Sequence, residues 1–167
     1  MPIITHLRFE SPLGTLTLVN ADGVLSGLYM DDPSRGPGVE EIGTPTQSGF
    51  EAAVGQLQEY FAGQRTRFEL PISMVGTPFQ RRVWDALKTV PYGETRSYAQ
   101  VAKAIGNPAA MRAVGLANGK NPISIIVPCH RVIGSDGSLT GYGGGLERKR
   151  FLLDLESRVA RRQARLF

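Results

Sequence analysis

The hydrophobic period of this chain changes once along its length, and that change limits what it can fold into. From Ile4 to Met30, ITHLRFESPLGTLTLVNADGVLSGLYM, apolar and polar positions alternate as in strands with one buried face. Breaks at Ser11-Pro12, Leu13-Gly14 and Asp22-Gly23 predict three short antiparallel strands joined by tight turns. Past Thr77 the apolar positions recur at the spacing of amphipathic helices. Strands first and helices second predict an α+β protein: a small N-terminal β-sheet domain with a helix, then a mainly helical domain. The 167 residues suffice for two small units. We place the boundary so that residues 1–76 form a β-rich structural domain with its linker and residues 77–167 the second domain.

Local signals refine this division. Residues 31–49 are rich in Gly and Pro and read as a loop. Phe50, Val54, Leu57 and Phe61 then share a helical face, which Gly63 terminates. Residues 64–76 are expected to return as one more strand and a linker. In the second half Thr77 caps a helix with Pro78 in its first turn, and Phe79, Val83, Trp84 and Leu87 form its apolar stripe. Ser97 and Gln100 make a capping-box pattern ahead of Val101 and Ile105, and Gly106 stops that helix. Asn107-Pro108 restarts a helix expected to run to about Asn118.

Two short helices joined by a tight turn form a helix-turn-helix candidate. Helical hairpins also occur without DNA, so the pattern leaves both readings open. Arg112, on the second helix, is either a solubilising side chain or one presented to a nucleic-acid groove. Farther on, the C-terminal segment buries Leu152, Leu155 and Val159, and its basic tail is expected to fray.

Charge adds a weak direction. The net charge is +4, but residues 1–70 carry four basic and nine acidic side chains, and residues 112–167 ten basic and four acidic. A basic C-terminal part attracts polyanions, nucleic acid among them, although many basic segments are only solvated. No apolar run approaches the ~20 residues that span a bilayer, and the N-terminus lacks the features of a signal peptide. We therefore expect no membrane association and a cytoplasmic protein. One cysteine excludes an intramolecular disulfide, and one cysteine with two histidines makes a structural zinc site a poor fit. No metal and no cofactor are expected.

That cysteine lies in IIVPCHRVIG, residues 125–134. A lone cysteine is often a small buried hydrophobe. Here Pro128 forces a turn where the apolar run ends, and the polar His130 and Arg131 suggest that the segment leaves the core. A thiol near pKa 8.5 needs a base or cation to raise its thiolate fraction. Adjacent residues of an extended chain point apart, so His130 could reach Cys129 only through a turn or an intervening water. A useful imidazole also needs a carboxylate on its other nitrogen, and spacing does not choose among Glu147, Asp154 and Glu156. Pattern alone leaves core thiol and nucleophile evenly matched.

Four blocks shift that balance. PYGETRSYAQVA at 91–102, RAVGLANGKNP at 112–122, PCHRVI at 128–133 and GYGGGLERKRFLLDLE at 141–156 resemble, in order and spacing, the O6-alkylguanine-DNA alkyltransferases. These are also called methylated-DNA–protein-cysteine methyltransferases. The resemblance covers about Thr77 to Glu156, with a weaker match through the N-terminal SPLGTLTLV. It implies DNA repair by irreversible, single-turnover transfer of an alkyl group, mainly methyl, from O6 of guanine to the protein's own cysteine. Carried onto this chain, Cys129 resembles the nucleophile and His130 the base acting through a bridging water. Glu156 resembles the carboxylate that orients His130. Asn121 matches the residue tying the recognition helix to the active-site segment. Tyr98 matches the proton donor toward departing guanine, near the flipped nucleotide's phosphate. Arg112 matches the side chain that fills the vacated stack. Val132 and Tyr142, with the loop backbone at Gly143 and Gly144, match the base pocket.

The implied partner is double-stranded DNA containing O6-alkylguanine, bound through the minor groove by a monomer that can meet neighbours along the DNA. Two departures are visible. Gly143 stands where some members carry a serine that donates to the base, which bears on tolerance of bulky alkyl groups. The N-terminal zinc site of some members has no counterpart ligands here. Relatives that lack the cysteine bind alkylated DNA without repairing it, but Cys129, His130, Asn121 and Glu156 are all present here. A pure transcription factor and a thiol hydrolase fit less well.

Overall fold

The structure, a computed structural model, describes residues 2–30, 39–140, 142 and 145–166, with the side chains of residues 39 and 40 outside that description. The architecture is α+β, and the chain divides into two compact units: Met1–Val75 with Pro122–Ser124, and Gly76–Asn121 with Ile125–Phe167.

In the first unit the alternating segment forms β1 (Ile4–Ser11), β2 (Gly14–Ala21) and β3 (Val24–Met30), antiparallel in succession. The turns fall at the predicted breaks. Leu16 and Leu18 of β2 and Leu28 of β3 point into the core, as the two-residue period requires. A short helix α1 (Val39–Ile42) and a two-residue strand β4 (Thr44–Pro45), parallel to β1, lie inside the stretch expected to be loop. The sheet order is β3-β2-β1-β4.

Helix α2 (Glu51–Phe61) forms where expected but is rotated. Ala53, Leu57 and Tyr60 are buried with Phe50 at the N-cap, whereas Val54 and Phe61 are only half-buried. Tyr60 wins the core side because its ring packs on Phe68 at 5.4 Å. The strand expected in residues 64–76 reduces to a single bridge, Ile72 to Leu25, closed by Ser73 N–H donating to Leu25 O at 2.9 Å. Pro71 has no N–H with which to extend it. A second bridge joins Leu28 to Ile123.

The second unit is helical. Helix α3 (Pro78–Leu87) opens with a full capping box between Thr77 and Gln80 and buries Val83, Trp84 and Leu87. Its entry is tight: a Cβ on Gly76 would lie 2.5 Å from the Trp84 ring. After α3 the chain turns at Gly93, φ +79°, where a Cβ would meet Ala160 at 2.8 Å, so the position requires glycine on both counts. The two-residue strand β5 (Arg96–Ser97) leads into α4 (Tyr98–Ala104), whose Ser97–Gln100 capping box forms as read.

Helix α5 (Met111–Gly119) starts later than expected, because residues 107–110 close a turn through Ala110 N–H to Asn107 O. It has no side-chain cap. Packing of Val114, Ala117 and Asn118 holds it instead, and the Trp84 indole donates to Ala117 O at 2.9 Å. That bond satisfies a last-turn carbonyl.

Residues 125–127 run through the core with Ile125 at φ +71°, a strained value for a β-branched residue. A 3₁₀ turn at Cys129–Arg131 follows, then β6 (Val132–Ile133), parallel to β5. Helix α6 (Leu146–Arg165) ends the unit, and the basic tail continues this helix instead of fraying. Among the described residues no helix is long and apolar enough to cross a membrane, and no group of three or more His, Cys, Asp or Glu could hold a metal ion.

Candidate active site

The site is built where the 3₁₀ turn meets α6. Pro128 cannot donate, and Cys129 N–H instead donates to Val127 O at 2.8 Å, bending the chain back on itself. The next three residues wind into the 3₁₀ turn, with Arg131 N–H donating to Pro128 O at 3.0 Å. Winding makes neighbouring side chains diverge less than in a strand, which removes the geometric objection to Cys129 and His130 sharing one site. The segment does not leave the core here. Cys129 is 4% exposed, His130 is 0% exposed, and Arg131 is buried too.

Both polar neighbours stay inside because α6 offers them a carboxylate. His130 Nε2 lies 2.8 Å from Glu156 Oε2, and Glu156 is 1% exposed. Arg131 donates from Nε to Glu156 Oε1 at 2.8 Å and from Nη2 to Oε2 at 3.0 Å, a bidentate fork. Its Nη1 donates to Val90 O at 2.7 Å, and the Tyr92 ring centroid lies 5.6 Å from the guanidinium. Burial pushes the Glu156 carboxyl upward, but the hydrogen bonds from His130 and Arg131 and the Arg131 charge outweigh it and hold the group well below the usual range.

Burial pulls His130 below its ordinary value, and the charges of Arg131 and Lys149 act the same way against the upward pull of Glu156. The resting pair is therefore a neutral imidazole and a carboxylate. An ionised carboxylate can only accept, so the imidazole proton sits on Nε2. Nδ1 keeps its lone pair, and among the described residues it is buried with no hydrogen-bond partner. Of the three carboxylates spacing could not separate, the structure brings Glu156 to His130.

Asn121, just past α5, donates from Nδ2 to Val127 O at 2.8 Å. Its side chain closes the loop around Ile125 and sets the approach to Pro128. Tyr98, half-buried at the start of α4, donates from its hydroxyl to Thr140 O at 2.9 Å, and burial raises its pKa. Arg112 is exposed on α5. Val132 is fully buried and Tyr142 is buried. Gly143 and Gly144 lie outside the described residues.

Three residues of the site were not singled out from the sequence: Arg131, Lys149 and Asn118. Lys149 is fully buried on α6, and its Nζ donates to Val132 O and, at 2.8 Å, to Thr140 O. Burial lowers it to about 8, while the negative charge of ionised Cys129 pulls it back upward. That interaction is mutual, so the ammonium favours the thiolate. Asn118 is 2% exposed in the last turn of α5, and its Nδ2 donates to Cys129 O at 3.2 Å. A signal existed for Lys149 and Glu156. They stand three residues before and four after Leu152, on the face that buries Leu152, Leu155 and Val159. For Arg131 and Asn118 the local pattern held no comparable signal.

Comparison with known proteins places the chain in a family over nearly its whole length. A family described as "6-O-methylguanine DNA methyltransferase, DNA binding domain" matches residues 78–158. Its companion, "6-O-methylguanine DNA methyltransferase, ribonuclease-like domain", matches residues 5–74. The chain is 53% identical over 165 residues to a methylated-DNA–protein-cysteine methyltransferase of Mycobacterium tuberculosis, covering 99% of each chain. It is 47% identical over 154 residues to the constitutive one of Bacillus subtilis, covering 88% of this chain and 92% of that protein. Among solved structures it is similar to M. tuberculosis OGT in complex with DNA, with TM-score 0.87 and 53% identity over 93% of this chain and 94% of that one.

Proposed function

We propose a mechanism from the premise that this chain belongs to the 6-O-methylguanine DNA methyltransferase family, transferases that repair DNA by moving an alkyl group onto their own cysteine. The observation that carries the mechanism is the buried His130 Nε2–Glu156 Oε2 contact of 2.8 Å, which commits the imidazole lone pair to Nδ1. His130 Nδ1 takes the Cys129 proton through one water. The sulfur attacks the alkyl carbon, the S–C bond forms as C–O6 breaks, and the electron pair leaves with guanine. Tyr98, its pKa raised, keeps its proton at neutral pH and donates it to departing guanine. The imidazolium can then return a proton to the phenolate. Attack at a saturated carbon needs alignment and a thiolate, not an oxyanion hole. The thioether has no route back, so each chain acts once.

The O6 alkyl group lies inside the duplex, so the guanine has to rotate out. In this reading α5 enters the minor groove, Arg112 occupies the vacancy, and Val132, Tyr142, Gly143 and Gly144 frame the extruded base. Arg112 is exposed on a helix whose outward residues are short, Ala113 and Gly119, or apolar, Met111 and Leu116, the last 68% exposed. Small and apolar surface suits close approach to a groove floor, and phosphate contacts make binding weaken with salt. Asn121 fixes the active-site turn, residues 1–76 serve as a structural domain, and residues 77–167 carry catalysis and DNA binding. The protein works as a monomer in the cytoplasm.

The test is intact mass after incubation with duplex DNA containing O6-methylguanine. One methylene unit, about 14 Da, should be gained once per chain on Cys129 and not at all in Cys129→Ala. Repeated turnover, or an unmodified cysteine, would sink the reading.

A further inference from the structure

Two acceptors on residues tied to Cys129, one by sequence and one by a hydrogen bond, are buried with no hydrogen-bond partner among the described residues: His130 Nδ1 and Asn118 Oδ1. The identity of the second follows from chemistry. The other end of the Asn118 amide lies 3.2 Å from the carbonyl oxygen of Cys129, which can only accept, so that end is the nitrogen and the remaining atom is oxygen. The identity of the first follows from the Glu156 carboxylate on Nε2. One acceptor belongs to the residue after Cys129 and the other to a side chain anchored on the Cys129 carbonyl.

Folded proteins rarely leave such groups unpaired, because each forfeits its hydration without replacement. Two such acceptors, one on the residue after Cys129 and one on the side chain bonded to the Cys129 carbonyl, call for a donor that serves both, and a water molecule has two O–H donors and a lone pair that can accept from a thiol. We propose that Asn118 is a positioning residue of the proton relay, its Oδ1 and His130 Nδ1 together holding the water through which Cys129 loses its proton. The inference rests on the water relay put forward above.

The step balances. The thiol proton passes to the water oxygen while the water proton facing His130 passes to Nδ1, giving thiolate, imidazolium and water. The second O–H of the water stays hydrogen-bonded to Asn118 Oδ1 throughout, which prevents the molecule from rotating out of line. The Asn118 Nδ2 bond to Cys129 O meanwhile fixes the peptide that carries the sulfur. One amide thus aligns both ends of the transfer, and it sits on α5, the helix assigned to DNA.

The experiment measures single-turnover transfer from free O6-methylguanine base, which removes DNA binding from the comparison, for wild type and Asn118→Leu from about pH 6 to about pH 10. His130, Arg131, Tyr92, Tyr98, Lys149 and Glu156, the titratable and charged groups around the thiol, are common to both proteins, as are Arg112 on α5 and Lys120 at its C-cap. The rate ratio therefore isolates Asn118. The variant should be slower at neutral pH on the order of 10²-fold, the usual worth of an aligned general base. The deficit should shrink about tenfold per pH unit as the thiol ionises directly near its ordinary value of about 8.5. A deficit constant across pH would mean a structural role and overturn the proposal, as would no deficit. A wild-type rate that itself climbs through the ordinary thiol range would overturn the relay as a whole. Should Asn118→Leu not fold, Asn118→Ala is read by the same ratio.

Discussion

Arg131 holds Glu156 by both carboxylate oxygens, at 2.8 and 3.0 Å, so the residue two places after the thiol fixes the group that orients the residue one place after it. Three ionisable side chains share one buried site, and Glu156 is the carboxylate on which both His130 Nε2 and Arg131 depend. Removing one partner of such a set costs far more than the set contributes net, because a buried charge is left behind.

Glu156→Gln tests this directly. The amide cannot neutralise Arg131, and unfolding by urea should show a loss of about 3–5 kcal/mol. The pH dependence has a definite sign. Glu156 is held below its ordinary value of 4.5, so its contribution is complete above that value and is lost as pH falls toward the folded value. The wild-type protein should therefore lose stability in acid more steeply than Glu156→Gln. Parallel acid limbs would contradict the assignment.

Lys149 should leave a mark on the alkaline side. Its pKa of about 8 means that its ammonium is lost above that pH. Transfer to Cys129 from free O6-methylguanine should then slow in the wild type. Lys149→Met should be slower by roughly tenfold below that pH, the worth of about one pKa unit in the thiol, and should lack the decline. A pH profile identical in shape to wild type would separate Lys149 from the chemistry.

Arg112→Ala should distinguish positioning on DNA from chemistry at the sulfur. Extrusion of the guanine costs a few kcal/mol, part of which a side chain in the vacancy offsets. Repair of duplex DNA should fall by roughly tenfold or more while reaction with the free base is unchanged. Equal losses on the two substrates would argue against the stack-filling role.

Gly76→Ala is expected to act on stability alone. The added methyl would sit 2.5 Å from the buried Trp84 ring, where nothing flexible can yield. Overpacking of this kind costs about 1–3 kcal/mol. Thermal unfolding should shift down accordingly, and the rate of alkyl transfer, measured well below the transition, should not change.

The two halves of the fold were legible because each has a clean period and explicit punctuation. Asp22-Gly23 marked a turn, and Thr77-Pro78 and Ser97-Gln100 marked helix starts that formed with their capping boxes. What was misread followed from tertiary choices. Tyr60 displaced Val54 and Phe61 from the core side of α2 because Phe68 packs on its ring, and no spacing rule sees Phe68. The start of α5 shifted because Ala110 closed a turn instead of continuing a helix. At the site, the apolar run into Pro128 was readable, and His130 could be noticed but not oriented. Polar residue types suggested an exit from the core at Arg131, whereas a carboxylate 25 residues farther on keeps it buried. Such compensation exists only in three dimensions. Lys149 and Glu156 are the instructive pair: their register on α6 placed them inside, and only their charge argued otherwise.

The chain has a single tryptophan, and its indole N–H is bonded to Ala117 O at the end of α5. Indole emission responds to the partner of that N–H and to the polarity around the ring. The protein thus carries a label-free optical gauge wired to the helix proposed to meet DNA. Stopped-flow emission from Trp84 would time the seating of that helix on damaged DNA separately from the later, covalent event at sulfur.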